Sequence, residues 1–504
     1  MATASAHPSR STSTTFEPAR SAPVIARGAL GAVSAAHPLA TDAGLAMLRS
    51  GGSAVDAAIA AQAVICVVLP DAAGLGGDLL ALVSRPGQVT AVNGVGRSPA
   101  QAPARWSSDG GGSVTVPGLV DGWLTLHRHG GRLPLVDILS PARRLAEQTP
   151  LPVGTAEAAQ RHRPRLERFG GAGWALLDAL TTGVETWSQP ELADLLDAIG
   201  TRGRDAFYAG DAADAIVAAV HRAGGSLTIS DLAAHRSMAS EPVSVRWHGG
   251  QLLVQPPPSQ AVLLAMAAAW LEREGAPENL DALPHLLVEL TESAFTHRSD
   301  AGRGKDLLSM ALDVDPDRAS GRGGPRSYLH TAGVATADAE GMVVSSLVSV
   351  FDDFGSGVYV PELGIVLANR AAGFTDGANA AGPGRYPVHT LAPALLVEDD
   401  AVTALATPGA DGQVQTLLQL LARHRYLDED WPSAVIAPRW RSEDGRLLVE
   451  HGHPAELDLR ERGHEVVTRD YGEDVFGAVV IAGVDSGGPF AIADSRRSVE
   501  AGAA

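Results

Sequence analysis

The chain has 504 residues, 45% hydrophobic and 19% charged, which is the composition of a globular protein too long for one hydrophobic core. A formal net charge of −19 disfavours nucleic acid and anionic membranes as partners. The single cysteine, Cys66, excludes a disulfide within the chain, and no stretch holds the roughly 20 apolar residues that a membrane span needs.

The first segment, residues 1–24, is rich in Ser, Thr, Ala and Pro. It lacks the apolar core of a secretory signal peptide, so we predict a disordered lead. A helix is expected over Ala43–Ser50, with Thr41 or Asp42 as its N-cap. A second helix is expected over Asp56–Leu69. Because that stretch is apolar nearly all round, the helix should be buried.

Glycine marks two further stretches. Gly74–Asp78 lacks the Lys-Ser/Thr pair of a phosphate-binding P-loop, so we predict backbone packed closely against another segment. Residues 299–328 are rich in Gly, Arg, Asp and Ser, which is typical of a loop. That loop is either an ordinary surface connection or a mobile site of chain cleavage.

A hairpin is predicted directly after this loop. A short alternating run from Thr331 reaches an acidic turn at Asp338–Gly341, and a run rich in Val and Ser continues to Val350. Taken alone, the pattern is typical of a buried structural hairpin. The alternative is that Thr331 becomes a chain N-terminus after the bond from His330 is cut. Its free α-amine could then take the proton of its own hydroxyl, so one residue would supply nucleophile and base.

The hairpin and a series of earlier segments resemble the γ-glutamyltranspeptidases, a family of N-terminal-nucleophile hydrolases. The resemblance covers about residues 28–497 and keeps the family's motifs in order. Its segments include Ser34–Thr41, Gly51–Ala58, Gly74–Leu80, Val116–Trp123, Ser140–Ala146, Pro256–Ser259, His285–Glu289 and Thr331–Gly341. The number and order of these motifs carry the assignment, since none of them is decisive alone.

The resemblance implies an α+β fold, the four-layer αββα sandwich of the N-terminal-nucleophile hydrolases. It also implies a large (α) subunit at 25–330 and a small (β) subunit at 331–504. Self-cleavage would produce these two chains, which would stay together as an αβ heterodimer or a higher oligomer. Secreted members of the family carry a signal peptide, and none is recognisable in this chain, so we expect a cytoplasmic protein.

The resemblance also assigns catalytic roles. Thr331 is the nucleophile, and the hydroxyl that supports it from the next strand is Ser349. The family's oxyanion hole is a pair of consecutive glycine N–H groups, which match Gly409 and Ala410. A backbone donor survives the replacement of glycine by alanine where the dihedral angles allow it. The same stretch could instead be a plain turn before a helix over Val414–Arg423.

The substrate-binding positions depart from the family. Asn, Gln and Asp side chains bind the α-amine of a glutamyl group there, and they are replaced here by Phe351, Arg370 and Gly373. Paired serines on the α-carboxylate side fall on His389 and Thr390. An ammonium group would lose its anionic partner and meet a cation, and losing a buried partner costs several kcal/mol. The resemblance therefore implies retained catalysis on a changed substrate.

One further arginine belongs to this comparison: Arg97 lies in the region of the family's large-subunit arginine, but two residues away from it.

We expect an autoprocessing hydrolase or acyltransferase that works through an acyl-enzyme on a compound other than a standard γ-glutamyl amide. Some relatives in actinobacterial pathways that make 4-alkylproline antibiotic precursors are proposed to cleave a C–C bond, which is an alternative here. A second alternative, from another class, is an unprocessed pseudoenzyme or scaffold.

Other catalytic patterns fit less well. Gly483–Pro489 resembles the serine segment of chymotrypsin-like proteases, and His37 could supply a histidine, but the two lie too far apart for a two-barrel protease. The 16 histidines are scattered without the spacing of a metal site, so we predict no metal and no cofactor. The expected partner is a small-molecule substrate.

Overall fold

The computed structural model describes residues 25–322, 324 and 331–504. The predictions made for residues 1–24 and for His330 lie outside these ranges. Within the same ranges, no helix combines the length and the apolarity needed to cross a membrane.

Most of the strands belong to two central layers. In chain order the strands are β1 (Ala26–Arg27), β2 (Gly31–Ala35), β3 (Asp78–Arg85), β4 (Gln88–Gly94), β5 (Thr149–Pro150), β6 (Thr186–Trp187), β7 (Met238–Ser240), β8 (Val243–Trp247), β9 (Gly250–Val254), β10 (Ala332–Asp338), β11 (Val343–Ser349), β12 (Tyr359–Val360), β13 (Ile365–Val366), β14 (Ala394–Val397), β15 (Val402–Ala406), β16 (Trp440–Glu443), β17 (Arg446–Glu450), β18 (Val466–Arg469), β19 (Val480–Asp485), β20 (Gly488–Ala493) and β21 (Glu500–Ala503).

Helices cover the outer faces of these layers. In chain order they are α1 (Pro38–Arg49), α2 (Ala54–Val68), α3 (Leu119–Gly130), α4 (Leu135–Glu147), α5 (Val153–Leu166), α6 (Ala175–Thr182), α7 (Pro190–Arg202), α8 (Asp205–Tyr208), α9 (Gly210–Arg222), α10 (Ile229–Ala234), α11 (Val262–Glu274), α12 (Leu283–Phe295), α13 (Gly412–Tyr426), α14 (Trp431–Ile436) and α15 (Glu456–Glu461).

Two seven-stranded antiparallel sheets face each other. The first has the strand order β1-β20-β19-β15-β14-β9-β8, and the second has the order β21-β2-β10-β11-β3-β4-β7. Apolar side chains of the inner faces, such as Leu80, Leu395 and Ala404, fill the space between the sheets. On the outside, α1, α2 and α3 pack on the second sheet and α11, α12 and α13 on the first. The result is the expected four-layer αββα sandwich.

The start of the first helix differs from the sequence prediction. α1 begins at Pro38, and the imidazole of His37 accepts the N–H of Leu39 at 3.2 Å as the N-cap. Proline suits the first turn because it has no N–H to satisfy. Thr41 and Asp42, which the pattern indicated as caps, therefore lie inside the helix. α2 is buried at every position, as its uniformly apolar sequence predicts.

The glycine cluster before β3 lies against backbone, as predicted. A Cβ added to Gly76 would lie 2.2 Å from the carbonyl oxygen of Val366, and one added to Gly77 would lie 2.4 Å from that of Ser349. Only glycine allows these approaches. The predicted hairpin is also present, with β10 and β11 paired in antiparallel register.

Candidate active site

Three polar residues form a row across adjacent strands of the second sheet. Ala332 pairs with Val348, which brings Thr331, one residue before β10, opposite Ser349 at the end of β11. Ser349 in turn pairs with Asp78, the first residue of β3. Thr331, Ser349 and Asp78 therefore lie side by side at one end of the sheet.

The hydroxyls of Thr331 and Ser349 are in contact. Thr331 Oγ1 lies 3.4 Å from Ser349 Oγ, and the two residues are only 5% and 1% exposed. Ser349 Oγ also accepts the N–H of Phe351 at 2.9 Å, which restricts the serine rotamer. A hydroxyl held in this way can orient the threonine oxygen, but it is too weak a base to deprotonate it.

Both hydroxyls face the space between the sheets. Ser345, on the same face of β11, donates its hydroxyl across the sandwich to the carbonyl of Leu405 at 2.9 Å. A Cβ placed on Gly333 would lie 3.7 Å from the Cβ of Ala406. The end of β15 therefore lies beside the start of β10. The loop after β15 is consequently at the same end of the sandwich as Thr331.

This loop after β15 carries two backbone donors. Gly409 and Ala410 have φ angles of +121° and +51°, and both are buried. In the part of the chain that the structure describes, neither N–H group donates a hydrogen bond. Arg441 Nη1 restrains the loop by donating to the Gly409 carbonyl at 3.1 Å. Buried N–H groups are nearly always paired, so two consecutive ones without an acceptor are a candidate oxyanion hole.

A buried charged cluster continues the row beyond Asp78. Arg370 Nε donates to Asp78 Oδ2 at 3.0 Å, and His389 Nε2 donates to the same oxygen at 3.2 Å. The N–H of Leu391 donates to His389 Nδ1 at 3.2 Å, so the ring proton is on Nε2. All three side chains are almost completely inaccessible to solvent. We call this set the Asp78–Arg370–His389 cluster.

Burial and mutual contact fix the charges in the cluster. Burial lowers the pKa of His389 to about 4, assisted by the charge of Arg370 and opposed by Asp78, so the ring is neutral near pH 7. Burial acts to raise the pKa of Asp78, but the hydrogen bond from His389 and the charge of Arg370 outweigh it and hold this pKa below its usual value. An ionised carboxylate therefore pairs with the guanidinium, and the cluster has no net charge.

The ring of Phe351 covers this cluster. The guanidinium carbon of Arg370 lies 4.3 Å from the ring centroid, within the range of a cation–π contact. Phe351 has a φ of +85°, which a bulky side chain rarely adopts and which is concentrated at functional sites. Three of the positions predicted to bind substrate, Phe351, Arg370 and His389, thus meet beside the Thr331–Ser349 pair.

Sequence reasoning did not single out Asp78. It was grouped with the glycines before it, and its contacts with Arg370 and His389 span 292 and 311 residues. The sequence did contain one signal for Asp78: it is an acidic residue at the start of a mostly apolar strand. Burying an unpaired carboxylate there would cost free energy, so a partner could have been expected.

Two other predicted binding residues are not members of the cluster. Thr390 is buried, and its carbonyl accepts Gln260 Nε2 at 3.3 Å. Arg97 is exposed; its Nη1 donates to the carbonyl of Gly384 at 2.9 Å, and its guanidinium stacks on Tyr386 at 4.1 Å. Arg97 therefore belongs to a neighbouring surface.

One group of potential metal ligands forms in the described ranges. His285 and Glu289 on α12 approach His464, with ligand atoms within 4.8 Å of one another. The Glu289 carboxylate already accepts the N–H of Ser320 at 2.9 Å and Arg322 Nη1 at 2.9 Å. A dication would have to share this carboxylate with a guanidinium, which is unfavourable. The absence of a metal stays a prediction, and no catalytic step involves this group.

Comparison with known proteins agrees with this architecture. A family model described as Gamma-glutamyltranspeptidase matches residues 40–504. The oxamate amidohydrolase proenzyme of Klebsiella pneumoniae is 31% identical over 492 residues, covering 88% of this chain and 92% of that protein. The glutathione hydrolase-like YwrD proenzyme of Bacillus subtilis is 31% identical over 446 residues, covering 80% and 83%. The solved cephalosporin acylase from Bacillus halodurans superposes with a TM-score of 0.84 at 28% identity and covers 98% of both chains.

Two facing sheets between helical layers, shared with a solved acylase along nearly the whole chain, define an N-terminal-nucleophile hydrolase. The chain belongs to the γ-glutamyltranspeptidase family. The relatives just described are hydrolases and an acylase, so the family establishes the chain as an enzyme rather than a scaffold.

Proposed function

We propose that this enzyme cuts its own chain before Thr331 and then hydrolyses amides of small acyl groups that bear a carboxylate. The observation that carries the proposal is the row of Thr331, Ser349 and Asp78, with the buried guanidinium of Arg370 attached to its far end. The nucleophile lies at the end of the sheet, and the candidate anion receptor is attached to the same sheet through Asp78.

The same hydroxyl would act in maturation and in catalysis. Thr331 Oγ1 attacks the carbonyl of His330. Hydrolysis of the resulting ester leaves a large chain, 1–330, and a small chain, 331–504. The new α-amine then accepts the hydroxyl proton as Oγ1 attacks the substrate amide. The N–H groups of Gly409 and Ala410 stabilise the oxyanion. Ammonia or an amine leaves with the transferred proton, and water hydrolyses the acyl-enzyme to a carboxylic acid.

Arg370 would select the acyl group. Because Phe351 covers the buried guanidinium, the phenylalanine ring would have to turn aside for a carboxylate to reach it. Neighbouring strands lie about 4.8 Å apart, so the backbones of Thr331 and Asp78, two strands from each other, are separated by about 10 Å. Once the two side chains are allowed for, only a few carbon atoms fit between the reacting carbonyl and a carboxylate bound by Arg370. The guanidinium offers hydrogen-bond donors and no acceptor, so it favours a carboxylate over the ammonium of the γ-glutamyl group of glutathione.

The relatives are consistent with such a substrate. The Klebsiella pneumoniae protein is named for oxamate, in which a carboxylate is bonded directly to an amide carbon. Glutathione hydrolases of the family, such as that of Escherichia coli, are 27% identical over 509 residues and more distant. The glutathione hydrolase-like YwrD proenzyme is as similar as the oxamate enzyme, so identity alone does not select the acyl group, and the proposal rests on Arg370.

A panel of amides tests this proposal. The processed enzyme is incubated with oxamate, with monoamides of slightly longer dicarboxylic acids, and with glutathione and a γ-glutamyl anilide, and released ammonia or amine is measured. We expect kcat/KM to be at least about a hundredfold higher for one of the carboxylate-bearing amides. Faster turnover of the γ-glutamyl anilide would contradict the proposal. No amide cleavage at all by a processed enzyme would favour the alternative of C–C bond hydrolysis.

Ser349→Ala should lower kcat by about fivefold and change KM little. The lost hydrogen bond supports only the reacting hydroxyl, and one such bond contributes about 1 kcal/mol. Steady-state kinetics of processed protein check this. The matched control is Ser345→Ala on the same face of β11, whose hydroxyl bonds to Leu405 and not to Thr331. Equal effects of the two changes would remove Ser349 from the catalytic site.

Ala410→Gly should preserve turnover, because the replacement keeps the N–H group. A φ of +51° costs alanine about 1 kcal/mol, so folding stability should stay equal or rise by up to that amount. In contrast, Ala422→Gly inside α13 should lower stability by about 1 kcal/mol. Thermal denaturation and kinetics of both variants check this. Loss of activity in Ala410→Gly with intact folding would show that the methyl group, not the N–H, matters.

A further inference from the structure

A cavity beside the candidate active site carries positive charge. It encloses about 440 Å³ and is lined by three arginines, Arg97, Arg303 and Arg385, and by one carboxylate, Asp300. The lining therefore has two net positive charges, in a chain whose formal net charge is −19. We call this cavity the arginine pocket.

Backbone carbonyls, rather than carboxylates, hold two of these guanidinium groups. Arg97 Nη1 donates to the carbonyl of Gly384 at 2.9 Å, and Arg385 Nη1 donates to that of Ala380 at 2.7 Å. Among the described residues, none of the three arginines forms an ion pair. Each keeps its full charge, and all three are exposed at the cavity. Fixed, un-neutralised guanidinium groups are suited to binding carboxylate or phosphate oxygens.

The two segments that supply Arg97 and Arg385 are joined by hydrogen bonds. Ser98 N donates to the carbonyl of Arg385 at 2.8 Å, and Arg385 N donates to Ser98 Oγ at 2.9 Å. Arg303 comes from the 3-10 helical segment Arg298–Ser309, which is kinked at Gly304. Residues from before and after Thr331 therefore build the pocket together.

The inner wall of the pocket is shared with the candidate active site. Asn379 lines the pocket, and its Nδ2 donates to the carbonyl of Gly373 at 2.8 Å while its Oδ1 accepts the N–H of Val388 at 2.8 Å. A Cβ on Gly373 would lie 3.9 Å from Phe351 Cζ. Val388 immediately precedes His389 of the charged cluster. The pocket is thus one layer of side chains away from Phe351.

We propose that the arginine pocket binds a doubly charged anionic group, a pair of carboxylates or a phosphate. Its volume lies within the range of small-molecule sites, and its charge excludes ammonium compounds. Such a group could be the distal end of a substrate that extends past Phe351, or a free anion that binds beside the active site. Anion binding in this pocket does not depend on the reaction at Thr331.

Calorimetric titration with malonate and with inorganic phosphate tests the proposal directly, at constant ionic strength maintained with chloride. We expect saturable binding to the full-length protein. Arg385→Gln and Arg303→Gln should each weaken it by about tenfold or more, as expected for loss of a charge-assisted bond. Asp300→Asn should tighten binding, because it removes the one negative charge from the lining. Arg246→Gln, at an exposed arginine of β8 outside the pocket, should leave binding unchanged.

The opposite signs expected at Arg385 and Asp300 separate anion recognition from a folding defect, since unfolding would weaken binding in both variants. Absence of saturable binding by both probes would overturn the proposal, as would binding that survives the arginine changes. Inhibition kinetics then distinguish the two sources of the anion. Competition with substrate, seen as a raised KM, indicates the distal end of a substrate, whereas a changed kcat at saturating substrate indicates a free anion.

Discussion

Thr331→Ala should leave the purified protein as a single chain of 51.9 kDa and abolish its amidase activity. The methyl group cannot attack the preceding carbonyl, and an uncut chain also lacks the α-amine that would act as base. The wild type should give two bands, and sequencing of the smaller chain should begin at Thr331. Denaturing electrophoresis, N-terminal sequencing and ammonia release check the two halves of this prediction together.

Two controls accompany this variant. Thr331→Ser keeps a hydroxyl and should still be cut, although more slowly. Thr336→Ala lies on the same strand, where the threonine hydroxyl donates to the carbonyl of Ala54 at 2.7 Å, and it should be cut normally. A wild-type protein that stays intact while hydrolysing amides would refute the N-terminal mechanism, because Thr331 would then have no free amine.

Changing Arg370 to glutamine should lower kcat/KM for a carboxylate-bearing amide by about a hundredfold, which corresponds to roughly 3 kcal/mol. The effect should be confined to anionic substrates, so a neutral amide of similar length should be turned over with little change. Comparing the two substrates in one preparation therefore measures recognition of the carboxylate. Equal losses on both substrates would argue that Arg370 supports the fold instead of binding the anion.

Arg370→Gln also removes a buried ion pair, so a second variant is needed to separate loss of recognition from loss of folding. Arg370→Gln leaves Asp78 as a buried carboxylate without its guanidinium partner, and breaking such a pair costs about 3–5 kcal/mol. The double change Asp78→Asn with Arg370→Gln removes both charges and should restore most of the stability. It should not restore activity on the anionic amide, because the receptor is still missing. Arg143→Gln, at a partly exposed helix position, is the matched control for substitution of an arginine.

Local sequence patterns predict those parts of the site that depend on neighbouring residues. The hairpin from Thr331 follows from alternating apolar residues and an acidic turn, and antiparallel pairing then brings Thr331 opposite Ser349. The close packing of the glycines before β3 is expected because the stretch lacks the Lys-Ser/Thr pair of a phosphate-binding loop. In each case, residues a few positions apart determine the geometry.

The remaining features depend on contacts between distant parts of the chain. Nothing near Asp78 indicates that Arg370 and His389 will bind its carboxylate, and nothing near Ala410 indicates a φ of +51°. The location of Arg97 also depends on a contact with a distant part of the chain. Its region of the chain suggests the substrate pocket, but its bond to the Gly384 carbonyl directs it into a separate cavity.

The strand order of the second sheet has a consequence for the cut protein. β2, from before Thr331, lies between β21 and β10, which both come from after it, and β3 continues the sheet on the other side of β11. Scission at Thr331 would turn several strand pairings inside one polypeptide into pairings between two. To refold, a denatured mature enzyme would then need its two chains to meet in solution and to insert strands of one chain between strands of the other. Its durability would be governed by the rate of unfolding, measured as a half-life at a given temperature, rather than by a reversible equilibrium.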